Sequence, residues 1–411
     1  MQVKSILTIV LAMMLSFEGM AQSATGQDQK SNPITTAVPF LLLCPDSRMG
    51  GMGETGVAVL NDGNAQHWNQ SKYVFSENKG GFSASYSPWL QGLNVKGIAL
   101  AYMSAYGKIG DRHAVSGSLR FFSMGEMTLT DNFGNNIKTD KPFEMALDFG
   151  YTLRLIDNLS MGVTGRFIAS KLASWSSDNS IRPGYAGAVD VSLFYTKEFR
   201  SHKLKESRLN FGLSISNIGN KVSYTKNEDR LTRNFLPANF RAGIAYTMKI
   251  DEYNKLTFAF DLNKLLVPTN PTYARDSTGA LIQKPGGETG EYEIEKGKDP
   301  YEINAAGAVF VSWFDAPGGF VEEMKEFIEN FGIEYSYNNL LFIRTGFFNE
   351  AKTKGNRKYM TFGVGIKYSI FTIDAAYILP VSGRNHPLEN TVRFTVSFDF
   401  GAANTKKLSA N

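Results

Sequence analysis

From Phe82 to Phe400 the chain repeats one pattern, an apolar side chain at every second position over segments long enough for a tilted strand to cross a bilayer. It is clearest near the end. There Val392, Phe394, Val396, Phe398 and Phe400 alternate with Thr391, Arg393, Thr395, Ser397 and Asp399. Such a strand has lipid on one face and a polar interior on the other, which predicts an all-β, antiparallel transmembrane β-barrel.

Read in order, the outward sets are Phe82, Ala84 and Tyr86; Ile98, Leu100 and Tyr102; Val115, Leu119 and Phe121; and a long fourth run from Phe143 to Leu155. Further runs carry Met161 to Phe167, Val189 to Tyr195, Leu209 to Ile215, Phe240 to Met248, and Leu256 to Leu262. The last five are Phe331 to Tyr337, Leu341 to Phe347, Phe362 to Tyr368, Phe371 to Tyr377, and the run ending at Phe400. That makes about fourteen strands, an even number as single-chain bacterial barrels require. Short connections at Asp157–Asn158, 251–254, Asn338–Asn339 and 369–370 share one parity. The long ones, 124–141, 218–236 and above all 264–330, share the other and are assigned to the cell surface. Glu144, Asp148, Arg154, Arg166, Asp190, Arg241, Asp261, Glu334, Arg344, Asp374, Arg393 and Asp399 fall on the inward faces, where both signs of charge can pair and fill a narrow lumen.

Lys4, the apolar run Ile6 to Leu15 and the small residues Gly19 and Ala21 predict a cleaved signal peptide over 1–21. Residues 22–80 are expected to form an irregular, glycine-rich N-terminal segment, periplasmic or at the barrel mouth; 81–400 the outer-membrane barrel; and 401–411 a periplasmic tail. The aromatic content of 13% suits interfacial girdles, and a net charge of +4 gives no footprint for nucleic acid. The lone Cys44 excludes an intrachain disulfide framework. Leu41, Leu42 and Leu43 before it only faintly echo a lipoprotein box, and the targeting pattern is already complete upstream.

Catalytic chemistry is not legible. Gly51, Gly53 and Gly56 spell a dinucleotide fingerprint, but Pro45 and Asp46 precede them and no βαβ unit follows, so a tight turn is the better reading. His67, His113, His202 and His386 lack metal-ligand spacing, and no cofactor or metal is expected. Within the long surface connection, Asp315 to Gly319 signal a turn and a helix start. The short helix predicted after them puts Phe320, Val321, Met324, Phe327 and Ile328 on one stripe. Glu322, Glu323 and Lys325 would form a solvated face, not a catalytic pair. Trp313, Phe314 and Phe320 are the candidate partner-docking residues, with packing onto the barrel rim as the alternative.

Residues 44–59, Cys-Pro-Asp-Ser-Arg-Met-Gly-Gly-Met-Gly-Glu-Thr-Gly-Val-Ala-Val, and 64–73, Asn-Ala-Gln-His-Trp-Asn-Gln-Ser-Lys-Tyr, resemble the start of the PorV family of the Bacteroidetes type IX secretion system. Residues 314–326 and 387–394 resemble its later segments. That family is similar in turn to the FadL hydrophobe channels, although Gln70-Ser71 stands here where those have Pro-Ala after Asn69. The resemblance implies a non-enzymatic protein that binds cargo carrying the type IX C-terminal signal domain as it leaves the SprA (Sov) translocon. It would then deliver the cargo to the PorU sortase attachment complex in the lipid of the outer membrane. The alternatives are a FadL-type channel for hydrophobic small molecules and a lipid A deacylase.

Overall fold

The computed structural model describes residues 31–60, 62–89, 97–130, 133, 135–172, 181–199, 206–226, 230–287, 290–381 and 391–402. The expected signal segment, His202, His386 and most of the expected tail lie outside these residues. Fourteen antiparallel strands close into one barrel. They are β1 (Asn78–Pro88), β2 (Ile98–Ile109), β3 (His113–Met124), β4 (Phe143–Ile156), β5 (Leu159–Lys171), β6 (Gly184–Phe199) and β7 (Glu206–Gly219). The second half is β8 (Asn239–Lys249), β9 (Asn254–Leu265), β10 (Ile328–Tyr337), β11 (Leu341–Asn349), β12 (Lys358–Tyr368), β13 (Phe371–Pro380) and β14 (Val392–Ala402). Closure is made by β1 against β14, with Phe82 opposite Phe398 and Tyr86 opposite Phe394. It leaves no unpaired edge, as hydrocarbon demands.

The parity of the connections holds throughout. Residues 110–112, 157–158, 250–253, 338–340 and 369–370 join strands at one rim, while 125–142, 172–183, 220–238 and 266–327 lie at the other. The tight turns use residues that tolerate positive φ: Gly110 at 69°, Asn338 at 53° and Asn339 at 52°. Two of the long connections carry hairpins of their own, at Met127–Thr130 with Asn136–Asp140 and at Val222–Ser223 with Arg233–Asn234.

The alternation predicts facing on thirteen of the strands and fails on β2. Leu100 and Tyr102, expected to meet lipid, are each 1% exposed and point inward, whereas Met103 points out at 45%. The reason is that the inner wall of this part of the barrel meets protein, not water, so an apolar row is stable there too. Tyr106 stacks on Tyr73 at 4.4 Å, and Tyr102 lies under the Arg120 guanidinium at 5.4 Å.

The protein that fills the lumen is the segment from Ile34 to Ser76. It is built of short turns: Pro39–Leu42, Ser47–Gly50, Ala65–Trp68 and Gln70–Phe75. Asp46 caps the second by accepting from Met49 N at 2.9 Å, and Asn69 caps the last through Ser71 N at 3.1 Å. Phe40, Met49, Met52, Trp68 and Tyr73 are among its fully buried side chains.

Candidate functional site: a filled lumen and a surface loop

All fourteen strands touch the luminal segment. Gly63 lies against Ser83 on β1, and its carbonyl accepts from Ser104 on β2 at 2.7 Å. Arg120 on β3 donates to Leu41 O at 2.6 Å, Thr152 on β4 to Gln70 O at 3.0 Å, and Ser160 on β5 to Ser71 O at 2.5 Å. Asn69 donates to Leu193 O on β6 at 2.9 Å, and Asn210 on β7 to Ala58 O at 3.2 Å. Arg241 on β8 sits over Trp68 at 4.5 Å, and Asp261 on β9 accepts from Gly56 N and Val57 N at 2.7 and 3.0 Å. Arg48 makes a two-point contact with Glu334 on β10, both bonds at 2.9 Å. Gly53 lies against Phe347 on β11 and donates to Thr361 on β12 at 2.8 Å, while the turn Ser47–Gly50 rests on β13. Ser47 N bonds Thr395 on β14 at 2.9 Å, and Arg393 of that strand reaches Glu54 at 2.9 Å.

These contacts account for the glycine pattern that mimics a nucleotide fingerprint. A Cβ on Gly51 would stand 2.8 Å from Gly363 Cα, and Gly53 has φ +68 with the backbone of Phe331 and Phe347 beside it. The glycines are where luminal backbone meets wall backbone. Gln70, in place of the superfamily's proline, fits against two wall glycines, Gly150 and Gly162. The inward charges pair as expected: Arg166 with Asp148 at 2.6 Å and Asp190 at 2.8 Å, and Arg344 with Glu334 at 2.7 Å and Asp374 at 2.6 Å.

Burial also shifts the titration of luminal groups. It pushes the Asp46 carboxyl up to about 6, helped by nearby Asp62, although Trp68 Nε1 donates to it at 2.6 Å. The Lys72 ammonium, which donates to Gly56 O and Val59 O at 2.7 and 3.0 Å, is pushed down to about 8 by burial. His67 accepts from Arg120 at 2.6 Å and is driven well below its ordinary value by burial and then by Arg120. His113 is elsewhere, bonded to the Tyr151 hydroxyl on the outer wall. None of these forms a nucleophile and base pair.

The surface loop 266–327 carries the candidate docking residues. Its first helix, Ala305–Val311, is capped by Asn304, which accepts from Gly307 N at 2.6 Å. Val309 packs with Ala238 and Leu266 against Ile215, Ile218 and Phe240, side chains on the lipid-facing side of β7 and β8. Trp313 continues that contact, edge-on to Phe240 at 5.2 Å and 6.2 Å from Phe327. Phe314 and Phe320, by contrast, are 88% and 77% exposed, and Phe310, Val321 and Met324 are exposed with them. The three candidates therefore divide into one wall-packed anchor and two displayed rings.

The second helix is shorter than the stripe predicts, Phe320–Met324, with Ile328 already in β10. Its orientation is also reversed. Glu322 and Glu323, expected in solvent, face the barrel: Lys264 donates to Glu323 at 3.0 Å and to Glu326, and Lys354 donates to Glu322 at 2.6 Å and to Glu326 at 2.9 Å. Asp315 accepts from Thr269 N at 2.9 Å, and burial raises its carboxyl to about 6, with Glu323 and Glu326 adding to the effect. Two buried lysines thus draw the acids inward and leave the apolar side outward. Sequence reading missed both because Lys264 and Lys354 lie far along the chain, on strand and loop segments with no local helical spacing to the acids.

A closed antiparallel barrel with a lipid-facing apolar wall, paired charges inside and long loops at one rim is an outer-membrane protein. A family model described as "Type IX secretion system protein PorV" matches residues 25–272, and the chain belongs to that family. Among solved structures it is similar to the toluene transporter TbuX of Ralstonia pickettii at 13% identity, covering 88% of this chain and 98% of that one, with a TM-score of 0.44. It is also similar to the toluene transporter TodX of P. putida at 11%, 88% and 99%, with a TM-score of 0.47. A FadL homologue of Pseudomonas aeruginosa gives 11%, 90% and 100%, with a TM-score of 0.41. No curated protein matches the sequence.

Proposed function

We propose that this protein acts in type IX secretion through its outer surface and not through its lumen. It receives cargo carrying the C-terminal signal domain as the cargo leaves the SprA (Sov) translocon and passes it to the PorU attachment complex, without catalysing a reaction itself. Family membership supports the secretion role. The observation that carries the mode of action is the luminal segment, bonded or packed to every strand, beside a cell-surface loop that displays Phe314 and Phe320. Large exposed aromatics anchored by a packed neighbour are the residues that dominate protein interfaces. A FadL-type channel would have to move that segment, and a lipid A deacylase would need a Ser or His with a base beside it.

The test is a deletion strain complemented with the wild-type gene or with Trp313→Ser/Phe314→Ser/Phe320→Ser. Deletion should leave unprocessed type IX cargo in the periplasm while other outer-membrane proteins stay normal, and the triple variant should insert yet restore display poorly. Normal display in the deletion strain, with loss of uptake of a hydrophobic solute, would overturn the reading in favour of the channel. An altered lipid A acyl pattern abolished by one Ser or His substitution would favour the enzyme.

A further inference from the structure

A groove of about 820 Å³ opens at the loop rim beside β6, between the top of that strand and the start of the Ala305–Val311 helix. Its walls carry three cations, Arg182, Lys221 and Arg233, and one acid, Glu302. Glu302 already holds Lys284 at 2.9 Å, with Asp299 3.6 Å from the same ammonium. Lys221 is fixed in the wall, donating to Pro300 O at 2.9 Å over the Phe235 ring at 4.0 Å. Burial holds its pKa down, with Asp299 opposing and Arg233 adding to the shift, which places the two cations within each other's field.

The position of the groove selects its ligand. Its membrane-side edge is Tyr185, 61% exposed on the lipid-facing row of β6 and stacked on Phe167 of β5 at 6.2 Å. Its other side is the loop segment whose helix rests on the outward-facing Ile215 and Ile218. The groove is therefore continuous with the wall that meets acyl chains, at the height of the outer-leaflet headgroups, and is large enough for a headgroup of sugar or glycerol size. We propose that it binds the phosphate-bearing headgroup of an outer-leaflet lipid, with Arg182, Lys221 and Arg233 facing the phosphate and the acyl chains running down past Tyr185 and Phe167. This inference is independent of cargo handling. Guanidinium groups suit phosphate because their forked donors match its oxygens, and a membrane-anchored anion is presented to them at high local concentration.

The test uses the purified full-length protein in phosphatidylcholine bilayers containing spin-labelled phosphatidic acid or spin-labelled phosphatidylcholine, read by electron paramagnetic resonance. Wild-type protein should prefer phosphatidic acid severalfold, and removing one cation should lower that preference by about fivefold at most, as expected for a single basic residue near a charged surface. The variant Arg182→Gln/Lys221→Gln/Arg233→Gln should bring the two lipids to parity while remaining heat-modifiable. If it fails to insert, the wild-type comparison decides, and equal association of both lipids overturns the proposal. Loss of the preference with inorganic phosphate but not with chloride of equal ionic strength would identify a free-phosphate site and overturn it. So would an unchanged preference in the inserted triple variant.

Discussion

Lys264, at the top of β9, donates to Glu323 of the loop helix at 3.0 Å, and both side chains are buried. The same ammonium bonds Glu326, which Lys354 also holds from the next surface loop. Two cations and three acids therefore fix which side of the helix faces the barrel, and the exposure of Phe320, Val321 and Met324 follows from that electrostatic choice.

Lys264→Met should free the loop without unmaking the barrel. It leaves Glu323 and Glu326 short of one buried cation, a loss that costs about 3 to 5 kcal/mol when a buried pair is broken on one side. Hydrogen exchange over residues 315–326 should rise sharply while the strands stay protected. Unchanged protection of the loop would mean the network is not what orients it.

The loop should also respond to pH. Burial raises Asp315 to about 6, above its ordinary value of 3.8. Protonation of Asp315 therefore favours the folded loop: its contribution is complete below the ordinary value and is lost as pH rises through about 6. Loop exchange should be slower at pH 5 than at pH 7.5, and Asp315→Asn should flatten the difference, because an amide keeps an oxygen for Thr269 N without the charge. Equal pH dependence in the variant would assign the effect to another group.

On the barrel wall, Val364 of β12 points to lipid at 56% exposure between Gly363 and Gly365. Val364→Arg should lower folding stability in liposomes by about 2 to 4 kcal/mol, the cost of a midplane arginine on a barrel's lipid face. A variant as stable as wild type in urea titrations would contradict the assigned facing of β12.

The seal can be broken at one glycine. Gly53 has φ +68 and has the backbone of Phe331 and Phe347 against it, so Gly53→Val strains the conformation and forces the luminal segment off β10 and β11. Wild-type protein should conduct poorly in planar bilayers and the variant measurably more, with Trp68 becoming accessible to a soluble quencher. Identical conductance would mean the segment is not the barrier.

Much of this was legible from periodicity because lipid imposes a one-sided rule on every strand. All fourteen strands, their order and the sidedness of the loops follow from alternation and turn spacing. The rule breaks where the solvent on the inner side changes. Leu100 and Tyr102 read as lipid-facing because sequence alone does not reveal that a folded segment waits inside β2. The docking residues were legible as a stripe of aromatics near a turn, but not which side of their helix is displayed. That depends on Lys264 and Lys354, brought to the helix only by barrel closure. The glycines of residues 51–56 gave a motif with no chemistry behind it, and their purpose appears only in the wall glycine they abut, Gly363.

The claim that the surface, and not the lumen, does the work is tested most directly by locking the luminal segment in place. Ser47 and Thr395 have their side-chain oxygens 3.0 Å apart, so Ser47→Cys/Thr395→Cys, made together with Cys44→Ser, joins the segment to β14 through an oxidised pair. The measurement is surface display of a type IX cargo by cells carrying this variant, with the bond formed and after mild reduction. Display equal to wild type in both states is predicted, since the segment never has to move. Loss of display on oxidation, restored by reduction, would contradict the account and make opening of the lumen part of the mechanism.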